Sequence, residues 1–128
     1  MLVDLHTHST NSDGTYTPEK LVLAAAAAGV KVLALTDHDS VSGIVPAEAA
    51  AAALANGPRI IRGVELGTQV GEASVHILGY HIDIYNKQLL EKMHEMRYAR
   101  EVRLQKMLKK IAALGYHVEV AECDPDNR

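Results

Sequence analysis

Residues 30–36, Val-Lys-Val-Leu-Ala-Leu-Thr, form a nearly continuous apolar run rich in branched side chains. A strand with one wet face would alternate polar and apolar residues, so this run predicts a strand covered on both faces, as in a parallel sheet. Parallel strands need long crossover connections, and the flanking sequence supplies them. Thr17-Pro18-Glu19-Lys20 is a helix start: Thr17 can cap, Pro18 suits the first helical position and Glu19 favours the positive end of the helix dipole. The helix should run over residues 18–28 and stop at Gly29. A second Ala-rich stretch, residues 43–55, is helical by propensity and ends at Asn56-Gly57-Pro58. Residues 59–66 and 74–80 read as third and fourth strands, with Gly71-Glu72 as a turn between them. Strand and helix in alternation give right-handed crossover units and an α/β fold.

From about residue 86 to 114 the character changes to a long charged helix, or two in line. Leu90, Met93, Leu104, Leu108 and Ile111 supply an apolar face and Gly115 a stop. Residues 117–121 form a short alternating segment, and residues 124–128 a polar tail. At 128 residues the chain falls near the size of one domain. A net charge of −3 and a pI near 6.1 argue against the broad basic surface of a general nucleic-acid binder. No apolar run approaches the roughly 20 residues of a membrane span, and no basic leader precedes the first strand, so a cytoplasmic protein is expected. The single Cys123 cannot form an internal disulfide and reads as a bystander. With no Phe or Trp, the core must be built from Ala, Val, Leu and Ile.

The chemistry collects where strands end. The first strand runs straight into Asp4-Leu-His6-Thr-His8, and side chains two apart in a strand share a face, so His6 and His8 point the same way. Asp13 follows them. The second strand ends in Asp37-His38-Asp39, the third carries Glu65 and the fourth His76. In barrels and open parallel sheets such ends converge on the site. Each residue alone has a plainer explanation: Asp13 before Gly14 could be a turn residue, and His76 a satisfied core histidine. Asp37 and Asp39 face away from His38, so one could cap the following helix. Glu65 is different, because a carboxylate in an apolar strand is costly without a cation. Recurrence of the pattern favours a shared metal site. Imidazole and carboxylate donors without thiolate suit Mn, Fe or catalytic Zn. A carboxylate such as Glu65 can bridge two ions, which together can orient a hydroxide and neutralise the oxygens of a phosphate under attack.

Five ordered motifs, Asp4-Leu-His-Thr-His8-Ser, Ser12-Asp-Gly14, Leu35-Thr-Asp-His-Asp39, Gly63-Val-Glu65 and His76-Ile-Leu-Gly-Tyr80, together resemble the PHP (polymerase and histidinol phosphatase) superfamily over roughly residues 1–115. The likeness is nearest to its stand-alone phosphoesterases of nucleotides and RNA 5′ ends. The resemblance implies a distorted (β/α)7 barrel, here its N-terminal part over residues 1–85, followed by a helical insertion or lid region and polar tail over 86–128. It implies two or three divalent metals (Mn, Fe or Zn): His6, His8 and Glu65 would hold one, Glu65 and His76 a second, Asp13 and His38 a third. Glu65, His38 and Asp13 would serve the chemistry, in which a metal-bridging hydroxide attacks phosphorus. Arg97, Arg100 and Arg103 would contact the substrate's phosphate; the alternative is a solvated helix face paired with Glu95 and Glu101. His81 is expected to be a bystander.

Family members carry a further histidine and a late Asp-x-His pair. Here His117 lies too close to the helix to be that histidine, and Asp124-Pro-Asp126-Asn lacks the pair. The expectation is therefore the N-terminal portion of a longer phosphoesterase, or two chains completing one site as a homo-oligomer. The substrate would be a small phosphate ester, a nucleotide or a nucleic-acid end. The alternatives are a catalytically incomplete fragment that binds metal weakly and a metal-dependent amide hydrolase.

Overall fold

The computed structural model describes residues 1–118. In chain order they form β1 (Leu2–Thr7), α1 (Pro18–Ala27), β2 (Val30–Leu35), α2 (Ile44–Ala52), β3 (Arg59–Val70), β4 (Ala73–Tyr80) and α3 (Lys87–Ala113). What was expected beyond Val118, the rest of the alternating segment, Cys123 and the polar tail, lies outside the described residues.

The helix ends follow local chemistry. The Thr17 hydroxyl accepts from the Lys20 N–H at 3.3 Å, Pro18 opens α1, and Gly29 closes it at φ 81°. α2 is shorter than expected, with Gly43 at its N-terminal boundary. Its Pro46 is tolerated because a first-turn N–H has no partner within the helix. α3 is one unbroken helix, capped where the Asn86 side chain accepts from the Leu89 N–H at 3.0 Å.

The four strands lie in the order β1-β2-β3-β4. The first three are parallel, joined by α1 and α2, but β4 runs antiparallel to β3. The picture of four successive βα-type strands with ligands at their ends thus needs correction. A two-residue link, Gly71-Glu72, is far too short for a parallel crossover, and Gly71 at φ 60° turns the chain into a hairpin. β3 also extends four residues further than the expected Leu66, to Val70. Glu65 and His76 consequently sit inside a long ribbon instead of at strand ends.

β2 is buried along both faces except at Lys31, as its composition requires. Leu33 and Leu35 join Val22, Ala25, Ile44, Ala47 and Ala51 beneath α1 and α2, while Val32 and Ala34 meet Ile61 on the other face. The alanine-rich helix faces let backbone approach sheet closely. By contrast Leu2, Val3 and Leu5 of β1, and Val75 and Ile77 of β4, are exposed. The sheet curls, and the Tyr80 hydroxyl of β4 reaches back to donate to the Leu5 carbonyl of β1 at 2.8 Å. Of the apolar face expected on α3, Met93 is fully buried, whereas Leu104, Leu108 and Ile111 are half-buried.

Candidate metal centre

The site is assembled by three backbone devices. The first is the alternation of β1, which turns His6 and His8 to one face with ring centroids 5.0 Å apart. Between them, Thr7 faces the other way and donates its hydroxyl to the Ala34 carbonyl at 2.6 Å.

The second device is a tight loop over residues 8–14, folded around Asp37. That buried carboxylate accepts from the Ser9 N–H at 2.6 Å, the Ser9 hydroxyl at 2.7 Å and the Ser12 hydroxyl at 2.7 Å. The loop closes where the Gly14 N–H donates to the Ser9 carbonyl at 2.9 Å. A Cβ on Gly14 would overlap the His8 carbonyl, so the turn admits no side chain there. Asp13 is thereby delivered 3.3 Å from His8 Nδ1 and 3.4 Å from His38 Nε2.

The third device is a bridge between His38 and Glu65 that carries the β2–β3 pairing past the end of β2. The Glu65 N–H donates to the Asp37 carbonyl at 3.2 Å, and the Asp39 N–H donates to the Glu65 carbonyl at 2.9 Å. His76 stands opposite Gly67 on the hairpin, a diagonal neighbour of Glu65 on the same face.

Glu65 lies at the centre. Its Oε2 is 2.8 Å from His6 Nε2, 3.1 Å from His8 Nε2 and 3.8 Å from His38 Nε2, and its Oε1 is 2.7 Å from His76 Nδ1. Burial pushes this carboxyl's pKa up, but the His6 hydrogen bond, the His38 charge and the His76 hydrogen bond outweigh it and hold the group below the ordinary carboxylate range. Three groups of ligand atoms result: His6, His8 and Glu65; His8, Asp13 and His38; His38, Glu65 and His76. Within each, the atoms lie within 4.8 Å of one another. Ions at about 2.0–2.2 Å from nitrogen or oxygen donors need ligand atoms roughly 3–4 Å apart, so small movements close each group. The residues fit divalent transition metals. His8, His38 and Glu65 each belong to two groups, and of these the Glu65 carboxylate, with two oxygens, is the one that two ions could share.

All six expected ligands, His6, His8, Asp13, His38, Glu65 and His76, come together. His81, at φ 54°, lies outside the three groups. Neither Asp37 nor Asp39 caps α2, contrary to one reading of the sequence. Asp37 ties the ligand loop, while Asp39 accepts from the Gly67 N–H at 3.1 Å and from the Arg100 guanidinium. Arg97 donates to the Asp39 carbonyl, so neither arginine is spent on Glu95 or Glu101. Glu95 pairs instead with Lys92 at 2.8 Å, and Arg103 is exposed. Ser9, Ser12 and the two aspartates beside His38 are the supporting residues whose roles the sequence did not display. For the two serines the signal was the polar run Ser9-Thr-Asn-Ser12 that joins the first motif to the second.

The PHP domain family model matches residues 4–120. A 3′,5′-nucleoside bisphosphate phosphatase from Chromobacterium violaceum is 41% identical over 113 residues, 88% of this chain and 39% of that protein. A 5′-3′ exoribonuclease from Haemophilus influenzae is 39% identical over 112 residues, 88% of this chain and 40% of that protein. Among solved structures, an amidohydrolase from Chromobacterium violaceum with bound sulfate superposes at a TM-score of 0.82 with 37% identity, covering 92% of this chain and 41% of that one. The chain thus spans about two fifths of the length of the relatives it matches. The family match runs unbroken through every ligand-bearing element of the fold, and by that extent the chain belongs to the PHP domain family.

Proposed function

We propose that the chain carries the first part of the active site of a cytoplasmic PHP-family hydrolase of phosphate esters, acting on nucleotides or nucleic-acid 5′ ends. One observation carries the reading: a buried carboxylate, Glu65, with imidazole nitrogens of His6, His8, His38 and His76 around its two oxygens. Nucleotide phosphatase and exoribonuclease relatives support the substrate class.

In this reading His6, His8 and Glu65 hold one divalent ion, Glu65 and His76 a second, and Asp13 and His38 a third, drawn from Mn, Fe or Zn. When bound, the metals supply charge that neutralises phosphate oxygens and acidifies the attacking water. The chain's own residues do the rest. Glu65 keeps neighbouring ligands at bridging distance, and Asp13 with His38 fixes the outer side of the cluster. Arg97, Arg100 and Arg103 lie along α3, the covering insertion, and serve the substrate's phosphate. Exposed apolar residues on β1 and β4 favour completion of the site by further protein, for which a second copy of the chain is one source.

The test is metal content by elemental mass spectrometry, combined with release of phosphate from a 3′,5′-nucleoside bisphosphate and of phosphate or nucleoside 5′-monophosphate from a 5′-phosphorylated oligonucleotide. The expected result is more than one metal per chain and product release abolished by Glu65→Gln. Metal-loaded protein that releases none of these products but cleaves an amide would replace this reading with amide hydrolysis. Little or no metal would leave an incomplete fragment.

A further inference from the structure

Asp39 is the fully buried residue immediately after His38, and its backbone lies in the left-handed region at φ 45°. Only a few per cent of non-glycine residues adopt that conformation, with Asp and Asn favoured among them. The turn directs the groups of one residue towards two different elements. Towards β3, its N–H donates to the Glu65 carbonyl at 2.9 Å, and its Oδ1 accepts from the Gly67 N–H at 3.1 Å. Towards α3, its carbonyl accepts from Arg97 and its Oδ2 from Arg100. Arg97 and Arg100 are three positions apart and so share a helix face. One aspartate thus joins the strand carrying the central carboxylate to the helix carrying the arginines.

The ion pair uses only part of Arg100. Nη1 meets Asp39, while Nε and Nη2 are buried without a hydrogen-bond partner among the described residues. Those two nitrogens form the side-on edge of a guanidinium, a fork whose spacing matches two oxygens of one anion.

We propose that Asp39 is a positioning residue: it holds Arg97 and Arg100 against the ligand-bearing strand so that the unpaired edge of Arg100 is kept for the phosphate of a bound ester. Asp39 touches neither substrate nor metal in this scheme. It acts through Arg100, and it also gives α3 a polar anchor over a stretch with little apolar burial. The proposal rests on the phosphoester reading for the identity of the anion, and on geometry alone for the anchoring.

Three variants separate the parts. Asp39→Asn keeps the size, the left-handed backbone and one acceptor for Gly67, but loses the charge that holds Arg100. Arg100→Lys keeps a cation for Asp39 without the two-donor edge. Arg100→Ala removes both. Inorganic phosphate binding to the metal-loaded chain is measured by calorimetry, metal content by elemental mass spectrometry, and protection of α3 by amide hydrogen exchange.

With charge-assisted contacts at stake, Asp39→Asn should weaken phosphate binding by roughly tenfold, leave metal content unchanged and speed exchange over residues 94–103 without changing α1. Arg100→Lys should weaken phosphate binding similarly while protection of α3 is largely kept. Adding Asp39→Asn to Arg100→Ala should cost no further affinity. Unchanged phosphate affinity in Asp39→Asn, or additive losses in the double variant, overturns the proposal. If the wild-type chain binds no phosphate at all, the phosphoester reading fails. Exchange then decides the anchoring, and unchanged protection over residues 94–103 in Asp39→Asn overturns that as well.

Discussion

The carboxylate of Asp37 accepts from both the backbone N–H and the hydroxyl of Ser9, at 2.6 and 2.7 Å, across 28 positions of sequence. This pairing holds the loop that carries His8 and Asp13 against the end of β2. Asp37→Ala would take the short acceptor from three donors, the Ser9 N–H and the Ser9 and Ser12 hydroxyls, leaving the hydroxyls only long contacts such as those to Asn11 Oδ1 and Asp13 Oδ1 at 3.4 Å. The expected loss is on the order of 3 kcal/mol in urea unfolding of the metal-free protein, together with weaker metal binding. A loss below about 0.5 kcal/mol would mean that water replaces the carboxylate and that the loop is held elsewhere.

The ligand groups share members unequally, and that predicts a pattern of metal loss. His6, Asp13 and His76 each belong to one group, whereas His8, His38 and Glu65 each belong to two. A neutral imidazole offers one lone pair and serves one ion, whereas a carboxylate can serve two, so substitution of Glu65 should remove more than one ion per chain and alanine at any of the other five positions about one. Elemental analysis of the six variants after identical loading reads this directly. Equal losses at all six positions would indicate one cooperative cluster without separable sites.

Gly63 of β3 lies against the end of β2, with no room for a side chain. A Cβ there would meet the Thr36 Cγ2 at 2.7 Å and the Leu35 carbonyl oxygen at 2.9 Å, and the latter is backbone that cannot rotate aside. Gly63→Ala should destabilise the fold by about 1–3 kcal/mol, seen as a lower urea midpoint with an unchanged slope. An unaffected midpoint would show that the two strands separate without cost.

Acid should expose the role of Glu65 in the metal-free protein. Its folded pKa is depressed, so its contribution to stability is present above the ordinary value of 4.5 and is lost as pH falls through the lower folded value. Glu65→Gln should therefore flatten the decline of the urea midpoint below about pH 4.5 relative to wild type. Parallel declines in the two proteins would place the acid sensitivity on other carboxylates.

Much of the site was legible because its ligands are expensive anywhere else. Glu65 in an apolar strand pointed to a cation before any geometry was known, and the two histidines of β1 did so only because histidines and carboxylates recur along the later strands. The doubly buried β2 and the alanine-rich helices were legible for a similar reason, since their composition leaves few other ways to pack. The direction of β4 was harder to read. Its residues suit either orientation, and the deciding fact is the two-residue length of the link at Gly71-Glu72. The partners of Asp37 and Asp39 were hidden because hydrogen bonds between positions 28 and 61 residues apart leave no local period in sequence.

The β3–β4 hairpin also sets an order of assembly. Glu65 and His76 lie eleven residues apart and meet through a two-residue turn, so their half of the centre can form on the microsecond scale typical of hairpins. His6 and His8 lie 59 and 57 positions before Glu65 and meet it only once β1 and β2 have found their places through two helical crossovers. Closing those long loops is the slow, entropically costly part of the search. A metal ion present during folding would first meet a two-ligand hairpin of low affinity, and would be gripped only as the first strand arrives. Ion capture would then act as a late ratchet on the native topology, speeding commitment to the fold without changing its earliest steps.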